Sequence, residues 1–185
     1  ACHYCDFHFS TTLKRKGEMV NTLCKELILR KDEAINSELQ TVYLGGGTPS
    51  ILSYEELQQL FRTIFTHYKV NTTAEITLEA NPDDFFRDSS PQQMLEQLRS
   101  LGINRLSLGV QSFFEEDLQL MNRVHSVAQI ETLLQITPQY FDNITIDLIY
   151  GIPRMSKERW QENINKALSF DIPHISAYAL TVEEK

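Results

Sequence analysis

Cys2 and Cys5 stand three positions apart in Ala1-Cys2-His3-Tyr4-Cys5-Asp6-Phe7, a spacing that lets two thiolates on one tight turn face a single metal centre. Tyr4 and Phe7 beside them would screen that centre from water. The pair alone fits a zinc knuckle, a redox dithiol or an iron–sulfur ligand pair equally well. His3 and His8 flank it but complete no zinc signature. Cys24, the third cysteine, falls in a helical pattern and reads as a buried, inert thiol, so the chain has no disulfide framework.

A second group of residues carries different chemistry. Gly45-Gly46-Gly47-Thr48-Pro49-Ser50 is a turn whose bare backbone lets N–H and C=O groups approach a ligand, with the Thr48 hydroxyl to add. It is neither a GxGxxG run nor a glycine loop closed by GKS or GKT, which argues against nucleotide phosphate. Glu79 is suited to accept hydrogen bonds from two ribose hydroxyls, or to pair with Arg105. Gln111, Arg123 and Asp147 extend the same set, and the forked guanidinium of Arg123 matches a carboxylate. His125, in Met121-Asn122-Arg123-Val124-His125, reads as a solvent-facing or capping histidine, with a metal or haem ligand as the sharper alternative. His67 and His174 carry no assignment, and the absence of GxSxG argues against a serine hydrolase.

The elements that must position these residues alternate. Met19, Val20, Leu23, Leu27 and Ile28 recur at helical spacing over 16–35. Residues 40–44 form a short strand ending at the glycine turn, and Ser53 with Glu56 caps a helix bearing Leu57, Leu60, Phe61, Ile64 and Phe65. The same pattern predicts a strand over 74–78, a helix from Ser90 to Leu101 stopped by Gly102, and a strand over 105–110. Ser112 is expected to cap a short helix, Ser126 a second one, and Ser156 a third containing Trp160, Ile164 and Leu168. Strands over 143–149 and 175–180 complete the series.

Helices between all strands imply a mainly parallel sheet. One strand face is apolar: Ile76, Leu78, Leu106, Leu108, Val110, Ile144, Ile146 and Leu148. The other carries Glu75, Thr77, Glu79, Arg105, Ser107, Gln111, Thr145, Asp147, Ser176 and Tyr178. Unpartnered buried polar groups cost about 1–3 kcal/mol each, so the polar face is expected to line a cavity. An α/β fold follows: a partial (β/α) barrel with outer helices and its site at the carboxyl ends of the strands.

The chain has 185 residues, 42% of them hydrophobic and 10% aromatic, enough for one domain over 1–185. A formal charge of −8 without a basic stripe discounts nucleic acid as a partner. No apolar run approaches the length of a membrane span and no signal peptide is visible, so the cytoplasm is the expected compartment.

Taken in order, CHYCDF, YLGGGTPS, LEANPD, RLSLGVQSF, MNRVH and IDLIYGIP resemble the radical S-adenosylmethionine (SAM) superfamily, in the branch of HemN-like oxygen-independent coproporphyrinogen III oxidases and HemW-type haem chaperones. The resemblance covers essentially the whole chain. It implies that Cys2 and Cys5 are the second and third cysteines of a CxxxCxxC signature holding a [4Fe–4S] cluster. The first cysteine and strand are then expected before Ala1, and a C-terminal region after Lys185. It implies a cluster that reduces SAM to a 5′-deoxyadenosyl radical. It places Gly46, Gly47 and Thr48 at the methionyl amino end, Glu79 at the ribose and Arg123 at the carboxylate. Gln111 and Asp147 fall on the rest of the nucleoside, and Tyr4 beside the adenine.

Within the branch, Phe7 stands where the decarboxylating enzymes carry a further cysteine, and His125 where they tend to show glutamine. Both departures favour the haem chaperones, which bind haem and pass it to an apo-haemoprotein, with porphyrinogen decarboxylation as the alternative. Met121 replaces the first histidine of their HNRxH stretch, a substitution that weighs against a haem-ligand role for this loop and for His125 in it. With two cysteines this chain is expected to hold no stable cluster, to have a disordered first ten residues, and to leave an unpaired edge at 40–44.

Overall fold

The computed structural model describes Tyr4 and residues 12–181. Cys2, Cys5 and Phe7, with the expected behaviour of the first ten residues, lie outside the described residues. A five-stranded sheet in the order β1 to β5 forms a half-barrel wrapped by helices. The strands are β1 (Leu39–Leu44), β2 (Val70–Ala80), β3 (Arg105–Gln111), β4 (Asn143–Tyr150) and β5 (His174–Ala179). Every neighbouring pair is parallel, as helical crossovers require. Sequential order without reversal is the winding of a (β/α) barrel, not of a doubly wound sheet. Among the described residues β1 and β5 are the sheet edges, which places an edge at 40–44 as expected.

The helices are α1 (Lys16–Arg30), α2 (Tyr54–His67), α3 (Pro91–Ser100), α4 (Glu115–Leu120), α5 (Val127–Ile136) and α6 (Lys157–Leu168). Ser53 and Ser126 close full capping boxes with Glu56 and Gln129, and Ser90 and Ser156 each accept one N3 amide. Ser112 does not cap α4. Phe114 holds that position, because the buried Ser112 hydroxyl is drawn to Asp117 at 2.7 Å and Asn163 at 3.2 Å. Gly102 ends α3 with φ of +90°.

The outer face of the sheet is dry. Leu78, Leu106, Leu108, Val110, Ile146 and Leu148 have no exposed surface and pack with Leu57, Phe61, Leu95, Leu98, Ile130 and Leu133 of the helices. Burial of each such side chain is worth about 1.5–3 kcal/mol. α1 sits farther out, burying only Val20 and Cys24 against this core, while Met19, Leu23 and Ile28 stay exposed. Cys24 is therefore the buried thiol expected of it. Among the described residues no helix is long and apolar enough to cross a membrane.

Candidate functional site

The register fixes which side chains share the inner face. Tyr43 pairs with Thr77 and Thr77 with Arg105; Glu79 pairs with Ser107, Ser107 with Thr145, and Asp147 with Ser176. This face is not uniformly open. Toward the amino ends of the strands, Arg105 donates to Thr145 Oγ1 at 2.7 Å and Thr77 Oγ1 at 3.3 Å, with a Glu75 oxygen at 3.8 Å. His174 Nδ1 lies 3.1 Å from Thr145 Oγ1, and Asn143 donates to Glu75. Thr77, Ser107 and Thr145 are buried beneath this network, so the expected cavity is confined to the carboxyl ends.

There the Glu79 carboxylate is held at both oxygens. The Tyr43 hydroxyl donates to Oε1 at 2.6 Å and the Gly46 amide to Oε2 at 3.1 Å. Glu79 therefore does not pair with Arg105, whose nearest carboxylate is Glu75. Gly45 makes the arrangement possible: a Cβ there would stand 2.5 Å from the Tyr43 ring and 2.7 Å from the Glu79 carboxylate. Gly46 needs its lack of side chain for φ of +86°. Gly47 has neither reason, since its φ is ordinary and the space its Cβ would occupy is open. A bare backbone facing open space is what a ligand cradle provides.

The loop after β2 ties the remaining groups together. Asn81 Oδ1 accepts from Arg123 Nη2 at 2.6 Å, and its Nδ2 donates to Thr48 Oγ1 at 3.4 Å. Arg123 also donates to the Gly109 carbonyl at 3.1 Å, and its Nη1 lies 3.4 Å from the Tyr4 hydroxyl. The lack of a side chain at Gly109 lets the ends of Gln111 and Arg123 sit where they do, since Gln111 Nε2 and Arg123 Nη2 would lie 2.7 and 3.3 Å from a Cβ there. Gln111 itself has φ of +69°, with the Ser112 amide bonded back to the Val110 carbonyl: a γ-turn rare outside glycine, at the point where β3 meets the site.

His125 is the clearest departure from expectation. Its side chain is fully buried rather than solvent-facing, with Nδ1 3.4 Å from Asp83 and Nε2 3.3 Å from the Val110 carbonyl. In this arrangement neither ring nitrogen is open to an iron. Burial works to raise the Asp83 carboxyl, but the hydrogen bond and charge of His125 outweigh it and hold Asp83 below its ordinary value. Next to it, burial and the Asp83 charge push Asp84 up, although Ser50 donates to it and Arg87 lies beside it. Asp147, on the inner face of β4, is raised to about 6 by burial and by the nearby Glu79 charge.

Gly46, Gly47, Thr48, Glu79, Gln111, Arg123 and Tyr4 thus converge at one end of β1 to β3, with Asp147 on the adjoining strand. The site also recruits Tyr43, Asn81 and Asp83, which the sequence did not single out. Among the described residues no cluster of histidine, cysteine or carboxylate side chains could hold a metal ion.

The model of the radical SAM superfamily matches residues 1–167. A haem chaperone HemW of Bacillus subtilis is 36% identical over 100% of this chain and 48% of its own length. One from Escherichia coli is 33% identical over 98% of this chain and 48% of its own. The chain therefore spans about half the length of these curated relatives. The structure of the coproporphyrinogen III oxidase HemN of Escherichia coli, described as a radical SAM enzyme, superposes with a TM-score of 0.87 at 27% identity. The superposition covers 97% of this chain and 41% of HemN.

Proposed function

The chain belongs to the radical SAM superfamily, and from that membership we propose that it is the core of a HemW-like haem chaperone with a SAM site at the carboxyl ends of its strands. The observation that carries the SAM site is the prealigned Glu79 carboxylate beside the open Gly47 backbone, with Arg123 steered by Asn81 at the same rim. Two neighbouring acceptor oxygens suit the vicinal hydroxyls of a ribose. Arg123 offers a forked donor to the methionyl carboxylate. Gly47 and Thr48 receive the amino end; the Gly46 amide is committed to Glu79, leaving that residue its carbonyl. Gln111 and Asp147 face the rest of the nucleoside, Tyr4 flanks the adenine, and Cys2 and Cys5 give two thiolates to a [4Fe–4S] cluster. When bound, cluster and SAM together supply one-electron reductive chemistry.

The chaperone reading is supported by relatives named haem chaperones and by Phe7 at the position of the decarboxylases' additional cysteine. Haem, an apo-haemoprotein acceptor and a cytoplasmic setting come with it. The likeness to HemN favours a second reading, oxidative decarboxylation of coproporphyrinogen III. Anaerobic incubation of the reconstituted full-length protein with SAM, reductant and coproporphyrinogen III, followed by mass spectrometry, separates the two. Unchanged porphyrinogen with stoichiometric haem uptake is the expected result. Loss of two carboxyl groups per porphyrinogen overturns the chaperone reading in favour of the enzyme.

A further inference from the structure

Tyr43 occupies an edge strand and is 57% exposed, so packing does not dictate where its hydroxyl goes. It nonetheless reaches across to the next strand and donates to Glu79 Oε1 at 2.6 Å, the short range of a charge-assisted bond. The other carboxylate oxygen is fixed by a backbone amide, that of Gly46. Gly45 leaves room for both side chains at once. A glutamate normally carries much rotamer freedom, and a ligand that uses it must first order it. Here two donors have already stopped the rotation. Each carboxylate oxygen has about two acceptor positions, so each retains one for a ligand after accepting these bonds.

We infer that Tyr43 is a positioning residue for nucleoside binding, holding the Glu79 carboxylate so that two adjacent sugar hydroxyls meet acceptors already in place. The inference rests on the reading of Glu79 as the ribose-binding group. The phenol remains a donor throughout: although the residue is exposed as a whole, desolvation of its hydroxyl end against Glu79, the hydrogen bond to that carboxylate and its charge hold it above the usual tyrosine range. A phenylalanine at this position keeps the ring and the strand but frees Oε1.

The test is calorimetric titration of the chain with adenosine and with 2′,3′-dideoxyadenosine, which lacks both hydroxyls; it needs neither cluster nor turnover. Tyr43→Phe is expected to weaken adenosine binding roughly five- to tenfold, leave dideoxyadenosine unchanged and preserve the thermal melt. In a Glu79→Gln background the same substitution is expected to lose most of its effect. If Glu79→Gln weakens adenosine and Tyr43→Phe does not, the positioning role is overturned while the ribose site stands. If adenosine binds no better than the dideoxy compound to the unsubstituted chain, or fails to bind, the ribose reading falls and the inference with it. Equal weakening of both nucleosides by Tyr43→Phe also overturns it, since that marks a general distortion.

Discussion

Arg105 and Arg123 both serve the inner face of the half-barrel, at opposite ends of the strands. Arg105 crosses three strands, donating to two threonine hydroxyls with Glu75 and His174 around it, and the polar atoms there satisfy one another. Arg123 reaches over the end of β3, donating to Asn81 and the Gly109 carbonyl, and the glycine backbone nearby faces open space. The first arrangement closes a barrel floor and the second holds donors and acceptors ready at a mouth. (β/α) folds divide labour in this way, with stability at the amino ends and binding at the carboxyl ends.

Substitutions that separate stability from nucleoside affinity sharpen or break this comparison. Gly45→Ala is expected to have the largest effect, since its Cβ meets the Tyr43 ring and the Glu79 carboxylate at 2.5 and 2.7 Å. It should remove most of the adenosine affinity, while the cost in urea unfolding stays at about 1 kcal/mol because the exposed Tyr43 ring and the Glu79 carboxylate can swing away. Arg105→Leu removes the donor that the Thr77 and Thr145 hydroxyls share and leaves them Glu75 and His174 as partners, costing about 1–2 kcal/mol while calorimetry shows adenosine affinity within twofold of the parent. A large affinity loss there would break the division.

Asp147 comes next. Its folded value, raised to about 6, exceeds that of an unfolded aspartate, so the folded state binds more protons between pH 4 and 6 and stability falls as pH rises through that window. Asp147→Asn is therefore expected to stabilise the chain by about 1 kcal/mol at pH 7, allowing for partial exposure, with the gain vanishing by pH 4 in parallel denaturation curves. Gly47→Ala gives the smallest stability change, within about 0.5 kcal/mol, yet weakens SAM binding severalfold because its methyl enters the open cradle. Unchanged SAM affinity would reduce the glycine run to a turn.

Most of the framework was legible because its signals are local. Alternation along β3 and β4 separated the two sheet faces, and serine caps marked the starts of α2, α3, α5 and α6. Three features were not. The amphipathic pattern of α1 suggested a buried stripe, but the helix packs chiefly on α2, at the margin of the core, so Met19 and Ile28 stay exposed. Ser112 carries the signature of a cap, yet tertiary partners on α4 and α6 claimed its hydroxyl. Tyr43, Asn81 and Asp83 act through hydrogen bonds to residues 36 to 42 positions away, for which no spacing rule exists. The Asn81-Pro82-Asp83 segment following Glu79 was the one available hint, a polar turn at a strand end.

The most direct test of the account is the affinity of the anaerobically reconstituted full-length protein for SAM, measured by calorimetry in the parent, Glu79→Gln and Glu75→Gln forms. One saturable site, weakened at least tenfold by Glu79→Gln and less than twofold by Glu75→Gln, is the predicted result. Equal weakening by both substitutions, or by neither, would contradict placement of the SAM site at the carboxyl ends of the strands.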